Sequence, residues 1–351
     1  MIRECREPNC QPVRRGVIIS PAALGDNILM LPLAHYMKNA LALDQIEFIG
    51  HAESIDFWPG RSCVDRVRGI EQVAFHRLFA PPDDFELADR DPLITALAGY
   101  EWVVSFLGAG HVDFESNLLF TVHCSHAAEV VVLPLKPGEK AGRHVSRFYI
   151  EAFRRETPAL EEHGVQGSAG EMDLARALLW PRPDDTRAGH LLLERYGIEP
   201  MRPLTVIHPG SGGAAKIWPA ENFCALADRL ASDGMQVAFL LGPVERERLD
   251  GAERERFSRA GVCMDGLDLS QVVQVLTCVD LYCGNDSGVT HLAAALGCTT
   301  LAVFGPSDPA VYRPCGPRVE VVRELPEQFG RVCEAGVDRV AEAAGRLLAP
   351  A

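Results

Sequence analysis

The stretch Leu204-Thr205-Val206-Ile207-His208-Pro209-Gly210-Ser211-Gly212-Gly213-Ala214-Ala215-Lys216 runs from a short apolar segment into a glycine-rich loop. Such a run, bounded by Pro and Gly, predicts a strand buried on both faces. From 219 to about 232 the apolar residues take helical spacing, and the segment opens on Pro219, which a first helical turn tolerates. Gln236-Val237-Ala238-Phe239-Leu240-Leu241 then reads as another strand. Strand, loop, helix and strand make a βαβ unit with a right-handed crossover, the repeating unit of an α/β fold.

Working outward, the same grammar opens the chain. Gly16-Val17-Ile18-Ile19-Ser20 predicts a strand and Pro21-Ala22-Ala23-Leu24-Gly25-Asp26 a loop. A helix from about 28 to 41 follows, with Leu31, Ala34, Met37 and Leu41 on one stripe, and then a strand at 45–49. Further strands are expected at 102–106, 130–133, 280–283 and 300–304. Residues 157–203 are richer in Pro, Gly, Glu and Asp, including Pro181-Arg182-Pro183-Asp184-Asp185, and separate the two halves. The expected organisation is a domain over 1–180, a linker over 181–203, a second domain over 204–326 and a helical segment over 327–351, with a cleft between two similar α/β domains.

Composition narrows the function. The 351 residues are 47% hydrophobic and 23% charged, as in an ordinary folded protein. Lys and Arg number 34 against 48 Asp and Glu, a net charge of −14 that opposes nucleic-acid binding, so no nucleic-acid partner is expected. Arg3, Glu4, Arg6, Glu7, Arg14 and Arg15 leave no apolar stretch for a secretory signal, and no apolar run approaches the roughly 18 residues of a membrane span. The expectation is a cytoplasmic protein that can still touch the inner membrane face peripherally. Eleven cysteines without a Cys-x-x-Cys pair argue for reduced thiols, against a disulfide framework and against structural zinc.

Three constellations carry candidate chemistry. The loop from His208 to Lys216 lies between a strand end and a helix start, where free N–H groups and the helix dipole favour an anion. Its glycines allow close approach, Ser211 offers a hydroxyl and Lys216 a full charge, which suits a diphosphate; a structural turn is the alternative. The loop matches neither a P-loop nor the Gly-x-Gly-x-x-Gly dinucleotide fingerprint. Gly284-Asn285-Asp286-Ser287-Gly288-Val289-Thr290-His291 sits at the next such junction. There Asp286 or Ser287 can be a helix cap, or the segment can meet a second anion, with Asp286 facing sugar hydroxyls and His291 one turn in. Leu24-Gly25-Asp26 is the third: Asp26 is either an N-cap or a carboxylate at the cleft lip that deprotonates an acceptor hydroxyl. Asp89-Arg90-Asp91 has metal-site spacing but lies in an acidic, Pro-containing stretch, which reads as a solvated loop. His123-Cys124-Ser125-His126 lacks a fourth spaced ligand, so no metal is assigned. No Gly-x-Ser-x-Gly elbow suggests a hydrolase.

Taken in order, these segments resemble glycosyltransferase family 9, the heptosyltransferases. The resemblance rests on the Leu24-Gly25-Asp26 opening loop, His144-Val145-Ser146-Arg147-Phe148-Tyr149, and His208-Pro209-Gly210-Ser211 with Lys216-Ile217-Trp218-Pro219-Ala220-Glu221-Asn222-Phe223. Leu241-Gly242-Pro243-Val244-Glu245, the Gly284 to Ala293 block and Phe304-Gly305-Pro306-Ser307-Asp308-Pro309 complete it. It implies the GT-B fold, two Rossmann-like domains facing a central cleft, and inverting, metal-independent transfer with no cofactor beyond the donor substrate. The implied donor is ADP-L-glycero-β-D-manno-heptose, and the implied acceptor a lipopolysaccharide-core or related lipid-linked glycan. By the same resemblance Asp26 would be the general base and Lys216 the diphosphate cation. Ser211 and Gly212 would be loop donors and Glu245 the ribose ligand, with Ser287 and Gly288 on the phosphates and Asp286 at the transferred sugar; His291 is counted with these nucleotide-sugar-binding residues. Residues 50–145 carry no such match. Arg61, Arg143 and Arg147, with Arg66, Arg68, Arg154 and Arg155, are candidate contacts to an anionic acceptor or ordinary surface arginines. The alternatives are a relative using another nucleotide sugar, or a small-molecule or protein acceptor, and a non-catalytic nucleotide-sugar-binding protein.

Overall fold

A computed structural model describes residues 13–138, 142–158 and 173–349. The charged residues 3–7 and positions 159–172 of the segment between the halves lie outside them.

Strands β1 (Arg15–Ile19), β2 (Gln45–Gly50), β3 (Arg66–Gly69), β4 (Trp102–Ser105) and β5 (Glu129–Val132) form one sheet, ordered β3-β2-β1-β4-β5. Strands β6 (Leu204–His208), β7 (Gln236–Leu241), β8 (Val262–Asp265), β9 (Leu281–Asn285), β10 (Thr300–Phe304) and β11 (Val319–Arg323) form the other, ordered β11-β10-β9-β6-β7-β8. All pairings are parallel, with Ile18 between Phe48 and Val104, and Val206 between Ala238 and Tyr282. This is the GT-B arrangement of two doubly wound sheets.

Successive strand residues feed different cores. Val17 and Ile19 enter the outer core of the first sheet, whereas Ile18 enters an inner core shared with Val206, Ala238 and Leu292 of the second half. Ile207, Leu281 and Cys283 point the other way, into the outer core of the second sheet. Burial on both faces explains why the central strands are legible as apolar runs. The strands not foreseen, β3, β8 and β11, lie at sheet edges, and their Arg66, Arg68, Asp265, Glu320 and Arg323 break the pattern.

The first helix, Leu24–Ala40, starts earlier than its stripe suggests and buries Ile28, Leu29, Met30 and Leu33 as well as the predicted face. It is covered on more than one side, by Gly288–Ala295 of the second half and by Val145–Glu156. Within the Pro- and Asp-rich segment, Asp185–Arg195 is a helix packed on Leu269–Leu276. The C-terminal helix Glu334–Leu348 packs on Ala220–Ser232 and on β9 to β11.

Candidate active site

In both sheets the order reverses at a central strand, between β1 and β4 and between β6 and β9, and loops leaving such switch points frame ligand crevices. After β1, the buried Ser20 hydroxyl donates to Asn27 Oδ1 at 2.7 Å and accepts from Ala22 N, while Asn27 Nδ2 donates to Ala22 O at 2.9 Å. This closed network fixes the turn carrying Asp26. Ala23 is the N-cap and Asp26 lies in the first turn, so its carboxylate does not serve as the cap.

The two loops of the second half are tied to each other. Asn285 Nδ2 donates to Pro209 O at 2.8 Å and its Oδ1 accepts from Trp218 N at 3.1 Å; the Ser211 hydroxyl donates to Asp286 O at 2.8 Å. Lys216 closes a short 3₁₀ turn, Ala214–Lys216, and its Nζ lies 2.6 Å from Asp286 Oδ2. On the other oxygen, His291 Nε2 stands 3.5 Å from Asp286 Oδ1. His291 is buried, and its Nδ1 has no hydrogen-bond partner among the described residues. Ser287 caps the Gly288–Ala295 helix through Thr290 N, and Asp286 is left for the Lys216 and His291 contacts.

The loops meet across the cleft. A Cβ on Gly25 would stand 3.0 Å from His291 Cδ2 and 3.4 Å from Gly288 Cα, and one on Gly288 would be 3.0 Å from Leu24 Cβ. Glycine permits this approach of the two halves. Asp26 is half-buried and feels His291, Lys216, Asp286 and Lys136. Burial pushes its carboxyl up, with His291 and Lys216 opposing. Asp286 goes the other way: burial alone would raise it, but the hydrogen bonds and charge of His291 and the hydrogen bonds of Lys216 and Ser307 hold it well below the carboxylate range.

Glu245 lies in the first turn of the helix Pro243–Arg248; its Oε2 accepts from Gly242 N at 2.8 Å. A Cβ on Gly210 would fall 1.8 Å from Glu245 Oε1, so only glycine leaves room for this carboxylate. Pro209, Trp218, Glu245, Arg248 and Phe257 line a cavity of about 220 Å³ beside it.

The structure thus brings together Asp26, Ser211, Lys216, Asp286, Ser287, Gly288 and His291. Glu245 stands beside Gly210 of the same loop. Arg61 is a correction. Its side chain is 4% exposed, its Nε and Nη2 lie 2.8 and 2.5 Å from Asp185, and Nη1 donates to Phe57 O, so it is buried in an ion pair rather than presented to an acceptor. It ties the first half to the segment leading into the second. Arg68 is committed to Glu47, Tyr100 and Ala96 O. Arg143 is exposed and pairs with Glu151 at 2.5 Å; Arg147 is exposed on the Val145–Glu156 helix. Asp91 of the discounted Asp-x-Asp is buried rather than solvated, capping Pro92–Leu97 and pairing with Arg77, which lowers its pKa to about 2. His123 and His126 bond Ala128 O and Tyr100 O.

Sequence reasoning assigned no role to His144, quoted only as part of a matching segment; its Nε2 donates to Arg313 O at 2.9 Å while its Nδ1 accepts from Ser146 N. Burial lowers its pKa to about 4, consistent with this neutral tautomer. Asn285 and Ser307 stood inside quoted motifs without a role. Their work as braces becomes visible only when β6, β9 and β10 are side by side.

Comparison with known proteins identifies the family. The model of the family "Glycosyltransferase family 9 (heptosyltransferase)" matches residues 148–336, more than half of the chain. This chain belongs to glycosyltransferase family 9. Within that family it is 29% identical over 168 residues to lipopolysaccharide heptosyltransferase 2 of Salmonella typhimurium, covering 46% of this chain and 48% of that protein. It is 32% identical over 173 residues to lipopolysaccharide heptosyltransferase 1 of Pseudomonas aeruginosa, covering 47% and 45%. The matched part therefore spans about half the length of each relative. In fold the chain resembles a family 9 glycosyl transferase from Veillonella parvula, with a TM-score of 0.69 at 19% identity over 96% of this chain and 98% of that one. It also resembles the E. coli ADP-heptose lps heptosyltransferase II, with a TM-score of 0.62 at 20% identity over 95% and 98%.

Proposed function

We propose that this family 9 member is an inverting glycosyltransferase that moves heptose from ADP-heptose onto a lipopolysaccharide-core or related glycan, with Asp26 as general base. One observation carries the reading: Asp26 of the first half faces, across the cleft, the Lys216–Asp286–His291 group of the second. The relatives named above, lipopolysaccharide heptosyltransferases, support the sugar and the acceptor class.

In this reading Asp26 takes the proton of an acceptor hydroxyl as its oxygen bonds to the anomeric carbon. The bond from that carbon to the diphosphate breaks on the opposite face, inverting the centre. Lys216, the Ser211–Gly212 loop and the Ser287–Gly288 helix start balance the charge growing on ADP, and Glu245 binds the ribose. Prearranged donors of this kind stabilise a departing diphosphate without a metal. Lys216 is suited to its part, being 41% exposed and so able to turn to a ligand, whereas its partner Asp286 is 6% exposed and fixed. Asp286 and His291 would then present their polar atoms to the sugar. Among the described residues no helix is long and apolar enough to cross a membrane, so a lipid-linked acceptor would be met by peripheral contact.

Asp26→Ala is expected to lower kcat by about 10²- to 10⁴-fold while ADP-heptose affinity by calorimetry stays within about twofold. Transfer by the unaltered chain is expected to persist in EDTA. Loss of donor affinity in the variant would place Asp26 at the donor instead, and loss of activity in EDTA restored by Mg²⁺ or Mn²⁺ would overturn the metal-free part.

A further inference from the structure

We infer that Tyr312 is a specificity-determining residue whose hydroxyl engages the sugar of the bound nucleotide sugar. The inference rests on the reading of the cleft as a nucleotide-sugar site and adds to it a contact on the sugar itself.

Tyr312 closes the short helix Pro309–Tyr312, which is held at both ends. On the entry side, Ser307 hydrogen-bonds Asp286, and Asp308 caps the helix by accepting from Ala310 N at 3.1 Å. On the exit side, Arg313 O accepts from His144 Nε2 of the first half at 2.9 Å. A helix of one turn, fastened to the donor-side carboxylate before it and to the opposite domain after it, sets Tyr312 where the two halves meet. The Tyr312 ring is half-buried against the inner core shared by the two halves.

Its surroundings fit the same position. The phenol is near enough to Asp26, Lys216 and Asp286, the proposed base, the diphosphate cation and the sugar-side carboxylate, to feel the charge of each. Burial and the two carboxylates push its pKa up, and it remains a neutral donor. Among the described residues no hydrogen bond satisfies its hydroxyl. The proton-taking and charge-balancing parts already have residues, and a neutral phenol suits neither. It offers one O–H and a flat apolar face, which together match a sugar, polar at its hydroxyl edge and apolar over its C–H face.

The test is calorimetry of the full chain and of Tyr312→Phe, each titrated with ADP-heptose and with ADP. Phenylalanine keeps the ring and its packing and removes only the hydroxyl. The expected result is ADP-heptose binding weakened about tenfold, with ADP affinity unchanged within about twofold. Equal affinities for both variants, or equal loss on both ligands, would overturn the inference, the second showing a structural role. If the unaltered chain binds neither ADP-heptose nor any other nucleotide sugar, the reading of the cleft itself falls, and this inference with it.

Discussion

Asp26 and Asp286 carry the same side chain in opposite electrostatic settings. Burial dominates at Asp26 and pushes its carboxyl up; cationic and hydrogen-bonding neighbours dominate at Asp286 and hold it ionised. Two carboxylates driven apart in this way suit two tasks, one group exchanging a proton and the other a fixed anion. The sign for activity follows. A general base works only when deprotonated, so kcat/KM is expected to fall as pH drops through the raised pKa of Asp26. The acid limb of the profile should lie above the ordinary aspartate value of about 3.9. A limb at or below that value would remove Asp26 as the base. The sequence left Asp26 as either an N-cap or a cleft carboxylate, and it is the structure that gives the cap position to Ala23. Tyr312 was not legible in the sequence, since nothing near it in the chain marks it until His144 and Asp286 are placed beside its helix.

Among the elements, the loops after β1, β6 and β9 do most to build the site, and each is fixed by a buried polar side chain: Asn27, Ser211 and Asn285. Buried amides and hydroxyls with partners rigidify a loop, and without partners they cost stability. The βαβ units were readable because the central strands are apolar on both faces. The edge strands β3, β8 and β11 were not, and neither was the Asp185–Arg195 helix, which hides in a Pro- and Asp-rich stretch. That helix lies very close to Leu269–Leu276: a Cβ on Gly189 would stand 2.1 Å from the backbone oxygen of Gln274. Gly189→Ala must therefore push two backbones apart, and about 1–3 kcal/mol of stability should be lost. Denaturant unfolding checks this, and an unchanged midpoint would show that the helices separate at no cost.

Across the whole molecule, the two halves share one inner core and are joined behind it by the Arg61–Asp185 pair, each side chain 4% exposed. Burial alone would raise Asp185, but the hydrogen bonds and charge of Arg61 and the backbone of Arg182 lower it. Its contribution to stability is thus present above the unfolded aspartate pKa and lost as pH falls through the folded one. Asp185→Asn, which leaves a buried guanidinium without its anion, should cost about 3–5 kcal/mol near pH 7. That deficit should shrink below about pH 4. A full-sized deficit at low pH would contradict the pairing. Gly25 of one half packs against Gly288 and His291 of the other, and on the proposed reading the cleft they border holds a nucleotide sugar. The most direct test of that claim is calorimetric titration of the full chain with ADP, UDP, GDP and CDP, with Lys216→Ala alongside. The account predicts selective binding of ADP, weakened about tenfold or more by Lys216→Ala through loss of a charge-assisted contact. Preference for another base, no binding of any nucleotide, or an ADP affinity indifferent to Lys216→Ala would contradict it.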